Sequence, residues 1–437
     1  MGKIELDHTG SGSGITLSSD GTDLLLDGTA IGGGGGSPDL FAENYDGTST
    51  LPSVTGDNSV AIGTNATASS ILSLAFGTNA TASGTTKNTA VGYGSTANGS
   101  FASALGGAAN ANGQFALALA GGDADGNNSV AIGRDSSGNA AKGQATGAVA
   151  FGGSYASGTD SLAAAITNNT TSYGATGSNS VAIGYQAKAS STDAIAIGDG
   201  VIASATNAIA MGKSASASRS NSIAIGFNAQ TSSGNNSTAI GGSYTRALAF
   251  LATAIGGSSN RAEGSYSFVG GGADITVTGE FARAGGYYCK TDIYGKDIWA
   301  SGRFSSQGDA QTGTIVLRSD TTDATAEALT SNNSTASTTN QVVIPTNAAY
   351  AFHGTIVAKQ SGSANAAAWK VEGLIVNNGG TTTLTNSATT VISNTPSWGM
   401  ALSADNTNNA LAITVTGAAS TNIRWVATIH TSEVTYA

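Results

Sequence analysis

The chain has 437 residues, 62 of them glycine and only four proline, with 6% aromatic side chains and a formal charge of −10. That length has room for two or three domains, and the glycine content suits a β-rich chain with many turns. No basic cluster is present to neutralise phosphates, so nucleic-acid binding is excluded. No apolar run approaches the roughly 18 residues of a membrane span, so no membrane insertion is expected. The single cysteine, Cys289, rules out an intrachain disulfide framework.

Residues 1–36 form the acidic end. Residues 1–56 carry one lysine and eight acids, a net of −7, whereas 57–286 and 287–437 are near neutral at −1 and −2. MGKIELDHTG contains no apolar core of the kind a secretory leader needs. GITLSSDGTDLLLDGTAI holds two short alternating runs broken at Asp20-Gly21, which predicts a hairpin. Gly32 to Gly36 follow as a flexible joint, and residues 37–56, with Pro38 and Pro52, form a linker.

From residue 57 to 286 the sequence repeats. NSVAIGYQAKASST, DAIAIGDGVIASAT and NAIAMGKSASASRS place glycine at 184, 198, 212 and 226, in steps of 14. Gly63, Gly77, Gly92, Gly106, Gly121, Gly133 and Gly152 extend the pattern backwards, and Gly241, Gly256, Gly270 and Gly285 extend it forwards, giving about 16 units. A short fixed period indicates stacked coils of one solenoid. Each unit has room for two strands and two turns, the x-V-A-I-G run and the x-A-x-A run. Alternation separates Val60 and Ile62 from Ala61. A flat two-stranded coil has a narrow lumen, which assigns the alanines inward and the Val/Ile set outward. Val60, Ile62, Val181, Ile183, Ile195, Ile197, Ile209, Ile223 and Ile225 then make an outer aliphatic stripe that a soluble monomer rarely exposes. Closure around an axis as a homotrimer covers it; the alternative puts Val and Ile in the lumen of a monomeric roll.

The repeated NSVAIGxxAxA motif resembles the head of the trimeric autotransporter adhesins. That resemblance implies a left-handed parallel β-roll shaft and homotrimeric association. The family's membrane anchor has no counterpart in this sequence, which points away from a cell-surface adhesin.

After Gly285 the period stops, and Tyr287, Tyr288, Tyr294, Trp299 and Phe304 crowd into residues 287–310. This segment is expected to be a neck whose large rings cap the open roll; the alternative is an aromatic platform for carbohydrate. From residue 311 to 437, β-rich runs alternate with Asn/Gly/Ser turns, with strands predicted over 313–318, 341–344, 349–359, 366–376, 381–385, 389–392, 400–403, 410–416 and 423–431. The stretch RSDTTDATAEALTSNN has room for one helical turn. The fold class is therefore all-β, a parallel roll followed by an antiparallel sandwich or jelly-roll knob.

ITLSSDGTDLLLDGTAI resembles the N-terminal segments of fibre proteins from tailed phages, particularly marine cyanobacterial ones. GTIVLRSDTTDATAEALT and YAFHGTIVAKQSGSANAAAWKVEGLI resemble a terminal domain of marine-phage structural proteins. These resemblances imply a virion fibre assembled in the host cytoplasm. Its N-terminal segment would dock on other virion proteins, and its knob would meet a host-surface glycan or protein. Tyr350, Trp369 and Trp398 are the candidate receptor-binding residues of the knob. A fibre with a purely architectural role is the alternative, and a cellular adhesin the third reading.

Catalytic chemistry is scarce. His8, His353 and His430 are far apart in sequence, without ligand-spaced partners, so neither a metal nor a cofactor is expected. No serine lies in a G-x-S-x-G setting, and no phosphate loop follows a strand. Polysaccharide cleavage needs two carboxylates in one groove. Asp123, Asp125 and Asp135 are the only acidic cluster of the roll, and they fall among turn residues, so no enzymatic activity is expected.

Overall fold

The computed structural model describes residues 4–6, 15–19, 24–26, 29–30, 50–166, 172–394 and 396–436. Every regular element among them is a strand or bridge, with no helix. The chain divides into two compact units, Met1–Gly133 and Arg134–Ala437.

The first unit opens with a four-stranded antiparallel sheet, Ile4–Leu6, Ile15–Ser19, Leu24–Leu26 and Thr29–Ala30, hydrogen-bonded in chain order. Leu17 faces Leu26 across the predicted hairpin, whose turn at Asp20-Gly21 lies outside the described residues, as does the Gly32–Gly36 joint. Two parallel ladders follow. Six three-residue strands from Val60–Ile62 to Val130–Ile132 form one, and six two-residue strands from Ser53–Val54 to Asp123–Ala124 the other.

The second unit continues the same plan with eleven strands in each ladder, so the solenoid has about 17 turns in all. Registers superpose like on like: Ala182, Ala196, Ala210, Ala224, Ala239 and Ala254 form one column. All six are fully buried, as are the alanines of the second ladder at 189, 203 and 217. The alanine set therefore fills the lumen, and the Val/Ile set points outward.

Two backbone devices close each coil. Left-handed residues recur at both edges: Asn65, Asn79 and Asn228 on one, Asn179, Asp193, Asn207, Asn221 and Asn236 on the other. Asparagine tolerates that conformation best among non-glycine residues, and its amide can bond the equivalent residue one coil on. Asn207 Nδ2 donates to Asn221 Oδ1 at 2.8 Å, and Asn221 Nδ2 to Asn236 Oδ1 at 3.1 Å. In the regular coils the glycine ending the VAIG strand is required twice over, by conformation and by space. Gly198 has φ +134°, and a Cβ there would lie 1.9 Å from the Gly212 carbonyl oxygen of the next coil.

The roll extends one coil beyond residue 286. Lys290–Thr291 pairs with Thr276–Val277, and Asp297–Ala300 with Arg283–Gly286, both parallel. The expected aromatic cap is not what fills this end. The last lumen is occupied by Ile275, Val277, Cys289, Ile293 and Ile298, all buried. Trp299 is 59% exposed and Phe304 80%, because alternation turns Trp299 outward when Ile298 faces in. The unpaired edge of the second ladder is blocked by a side chain. The Gln311 carboxamide accepts from Lys290 N at 3.1 Å and donates to Lys290 O at 3.0 Å, occupying the groups that a next coil would pair.

Asp297–Ala300 also pairs antiparallel with Ala310–Thr321, so the VAIG sheet runs directly into the knob. There the wide sheet has the order Ala310–Thr321, Ile423–Thr435, Ala348–Gln360, Ala366–Asn378, Thr381–Asn394. A smaller antiparallel sheet is centred on Ala410–Thr416, flanked on one side by Gly399–Asp405 and on the other by Ala326–Ala328 and Val342–Val343. The stretch expected to hold a helical turn supplies the strand Ala326–Ala328 instead. The two runs predicted over 381–392 are one strand. Leu317, Ile356, Val371, Ile375, Leu411, Ile413, Val415 and Trp425 form the core between the two sheets.

Candidate functional site

The outer face of the VAIG sheet carries an aliphatic stripe in each unit. Val60 and Ile62 in the first unit, and Val181, Ile183, Ile195, Ile197, Ile209, Ile223 and Ile225 in the second, are all half-buried. They pack against their neighbours along the ladder and leave one flank open. In the second unit the stripe ends at a groove of about 430 Å³ lined by Phe268, Arg283, Asp297, Trp299, Thr312 and Thr314. Gly270 and Gly285 replace the aliphatic residues there, and the Phe268 and Trp299 rings lie over them, with ring atoms 2.6 and 2.8 Å from where each Cβ would stand. Arg283 bridges to Asp297 at 2.6 Å across adjacent coils.

The aromatic residues expected to bind a receptor are not on the surface. Tyr350, Trp369 and Trp398 are 3%, 3% and 5% exposed. Trp369 stacks on Trp425 with centroids 5.7 Å apart, and Trp398 meets the same ring at 5.7 Å. Their rings fill the space between the two sheets, where large apolar area contributes most to stability. Register turns them inward: Tyr350 and Trp369 share the inward parity of Phe352, Ile356 and Val371 on their strands.

Tyr350 has a second partner. Burial and the adjacent Glu433 carboxylate push its hydroxyl well above the ordinary tyrosine range. Glu433 is itself buried and lies 2.6 Å from Lys296 Nζ. Gln311 Nε2 donates to Glu433 Oε2 at 2.9 Å, and the Thr431 hydroxyl donates to Oε1. Burial pushes the Glu433 carboxyl up, but the Lys296 ammonium and these donors outweigh it and hold the group below its usual range. The cluster joins the last coil, which carries Lys296, to the knob strand carrying Glu433. Its donors and acceptors are already engaged with one another, so it is a structural lock.

Two histidines distant in sequence come together. His353 and His430 are register partners on adjacent strands, with ring centroids 5.2 Å apart, and Thr314 Oγ1 lies 3.0 Å from His430 Nδ1. Only the strand register brings them side by side; spacing alone carries no such signal. His8 lies outside the described residues. Among the described residues no group of three His, Cys, Asp or Glu side chains is arranged to hold a metal ion. Cys289 donates its thiol hydrogen to Gly285 O at 2.7 Å, and burial pushes its pKa up to about 11, far from a reactive thiolate.

Of the acids singled out in the roll, Asp123 lies in the strand Asp123–Ala124 and Asp125 just follows it. Asp125 Oδ1 accepts from Asn112 Nδ2 at 2.7 Å in the first unit. Asp135, in the second unit, closes its own loop by accepting from Asn139 Nδ2, Asn139 N and Ser137 N, and these bonds hold its carboxyl below the ordinary range.

A second concave feature lies at the other end of the knob's wide sheet. A cleft of about 390 Å³ is lined by Asp320, Thr322, Lys359, Gln360, Ser361, Asn422 and Arg424. Arg424 faces Lys359 directly across one strand pair and Asp320 across the other, with Arg424 Nε 3.8 Å from Asp320 Oδ2.

Comparison with known proteins places the repeats. The YadA head domain repeat matches residues 55–71, 68–86, 89–109, 124–136, 175–200 and 203–229. No curated protein sequence matches the chain. Two solved structures are distantly similar. One is a tailspike of Acinetobacter baumannii bacteriophage Fri1, a capsular polysaccharide depolymerase, at 10% identity and TM-score 0.21, covering 86% of this chain and 69% of that one. The other is the tailspike of a second Acinetobacter phage, at 9% identity and TM-score 0.18, covering 89% and 80%. Scores that low transfer neither fold nor chemistry, whereas the repeat match falls on the very coils whose alanines line the lumen.

Proposed function

We propose that the chain is a virion fibre that attaches the particle to its host. Three copies pack their VAIG faces around a common axis, the N-terminal segment docks on the particle, and the knob meets a host-surface glycan or protein. The observation that carries this reading is the half-buried aliphatic stripe on coils matched by an adhesin-head repeat. A flat aliphatic face of this kind is stabilised when a second surface removes it from water, at about 25 cal/mol per Å². The resemblance of both termini to tailed-phage structural proteins favours a virion over a cell surface. The N-terminal −7 per chain favours a basic or backbone-rich docking surface.

The same head repeats also support a cellular adhesin, and the two readings part over location. Immunogold labelling should decorate purified virions and leave uninfected cells bare. Labelled full-length chain should bind susceptible host cells and compete with infection. Labelled particles with a chain that neither binds cells nor competes would leave the fibre an architectural part.

A further inference from the structure

We propose that the cleft at the far end of the knob's wide sheet binds a carboxylate-bearing sugar of the host-surface glycan. This rests on the attachment reading and gives it a site. The cleft is placed for contact: Ala310–Thr321 leaves the last coil near Thr312, and Asp320 lies about 25 Å farther along the strand.

The first argument is energetic. Lys359 and Arg424 stand directly opposite each other on antiparallel strands, an arrangement that destabilises a sheet. Asp320 relieves it weakly, at 3.8 Å and in solvent, where an ion pair contributes little. Lys359 Nζ donates to the Gln360 and Ser363 carbonyl oxygens, which leave its charge unneutralised. Two opposed cations on a chain of formal charge −10 are held at a stability cost that a bound anion would remove.

The second argument is the rest of the lining. Thr322, Ser361 and Asn422 bring short polar side chains to the cleft, suited to sugar hydroxyls. Val357 and Val426, register partners two positions along the strands from Lys359 and Arg424, are exposed beside the cleft rather than in its lining. Arginine fits a planar carboxylate in bidentate fashion. Two cations are too few for a nucleic-acid backbone. Two cations for a carboxylate beside short polar side chains for hydroxyls is the chemistry of an acidic saccharide.

The test uses the full-length chain on surfaces of alginate and polysialic acid (carboxylate), dextran sulfate (sulfate) and dextran (neutral), with host-cell binding measured in parallel. We expect retention on at least one carboxylate polymer, weaker on dextran sulfate and absent on dextran. Arg424→Glu should lower it about tenfold, in line with the loss of one charge-assisted contact. Lys359→Gln should also weaken retention while melting no lower than the parent, because it removes the opposed cation. Absence from both carboxylate polymers, equal retention on dextran sulfate or dextran, or Arg424→Glu behaving as the parent would each overturn the proposal. If the parent still binds cells in those cases, attachment stands and only the cleft is lost. A parent that binds no cells sinks the attachment reading itself.

Discussion

Glu433 and Lys296 form a pair that neither residue could maintain alone in that position. Both side chains are almost entirely out of solvent. Removing one partner from such a pair leaves an uncompensated charge, at a cost of about 3–5 kcal/mol. Lys296→Met should therefore destabilise the knob by that amount in denaturant titration, and adding Glu433→Leu should recover a large part of it. A double variant no better than the single one would show that the pair is not where the stability resides. The pair also sets an acid limit. The Glu433 carboxyl is depressed in the folded chain, so its contribution is full above the unfolded-state value of about 4.3 and is lost as pH falls through the lower folded value. The melting temperature of the parent should drop below about pH 4.5 more steeply than that of Glu433→Gln.

Glycines of the coil act by conformation and by space together. Gly198→Ala would force a Cβ against the next coil's backbone at a φ that alanine disfavours. It should cost several-fold more than Gly200→Ala, whose added Cβ would come no closer than 3.8 Å to the Ser214 Oγ.

At the scale of the element, the roll was largely legible in the sequence; in the knob the strands were legible but their pairing and inward faces were not. A 14-residue period with alanine between two aliphatics favours the alanine inward, because a thin coil has little space for larger side chains. The knob's faces depend on register between strands up to about 120 positions apart, such as Thr314 beside His430 and Thr312 beside Ser432. No local pattern encodes that pairing. Tryptophans at 369 and 398 therefore looked like surface anchors when they are core, and the Lys359–Arg424 opposition was invisible. The end of the roll was misjudged for a related reason: Cys289, Ile293 and Ile298 continue the lumen with larger side chains, and the alanine signature disappears while the ladder goes on.

The stripe gives the element its own test. Val181→Asp with Ile183→Asp leaves both ladders and the lumen untouched, since both side chains point outward. If the stripe packs on copies of itself, the double variant should sediment as a monomer while keeping the β-sheet circular dichroism of the parent. A parent that sediments as a monomer contradicts association. Gln311→Ala tests the ladder's edge instead. Lys290 N and O lose their partner, so the exposed edge should raise the aggregation rate measured by light scattering, and Glu433 loses one buried donor, so the melting temperature should fall as well.

For the second unit as a whole, the sheet that carries the coils is the same sheet that carries the knob's strands, joined through Asp297–Ala300. A load applied between the ends of that unit therefore passes through hydrogen-bond ladders in series. The strand pair Ala310–Thr321 with Ile423–Thr435 is stitched by twelve register partners, whereas each coil holds its neighbour by three-residue and two-residue rungs. Under tension the coils should give way first, one at a time. Each would pay out about 45 Å of slack for its 14 residues, at about 3.3 Å per extended residue. A force–extension trace should then show a run of evenly spaced steps before the knob yields. Such a chain would behave as a tether that lengthens in increments, taking up a sudden load coil by coil.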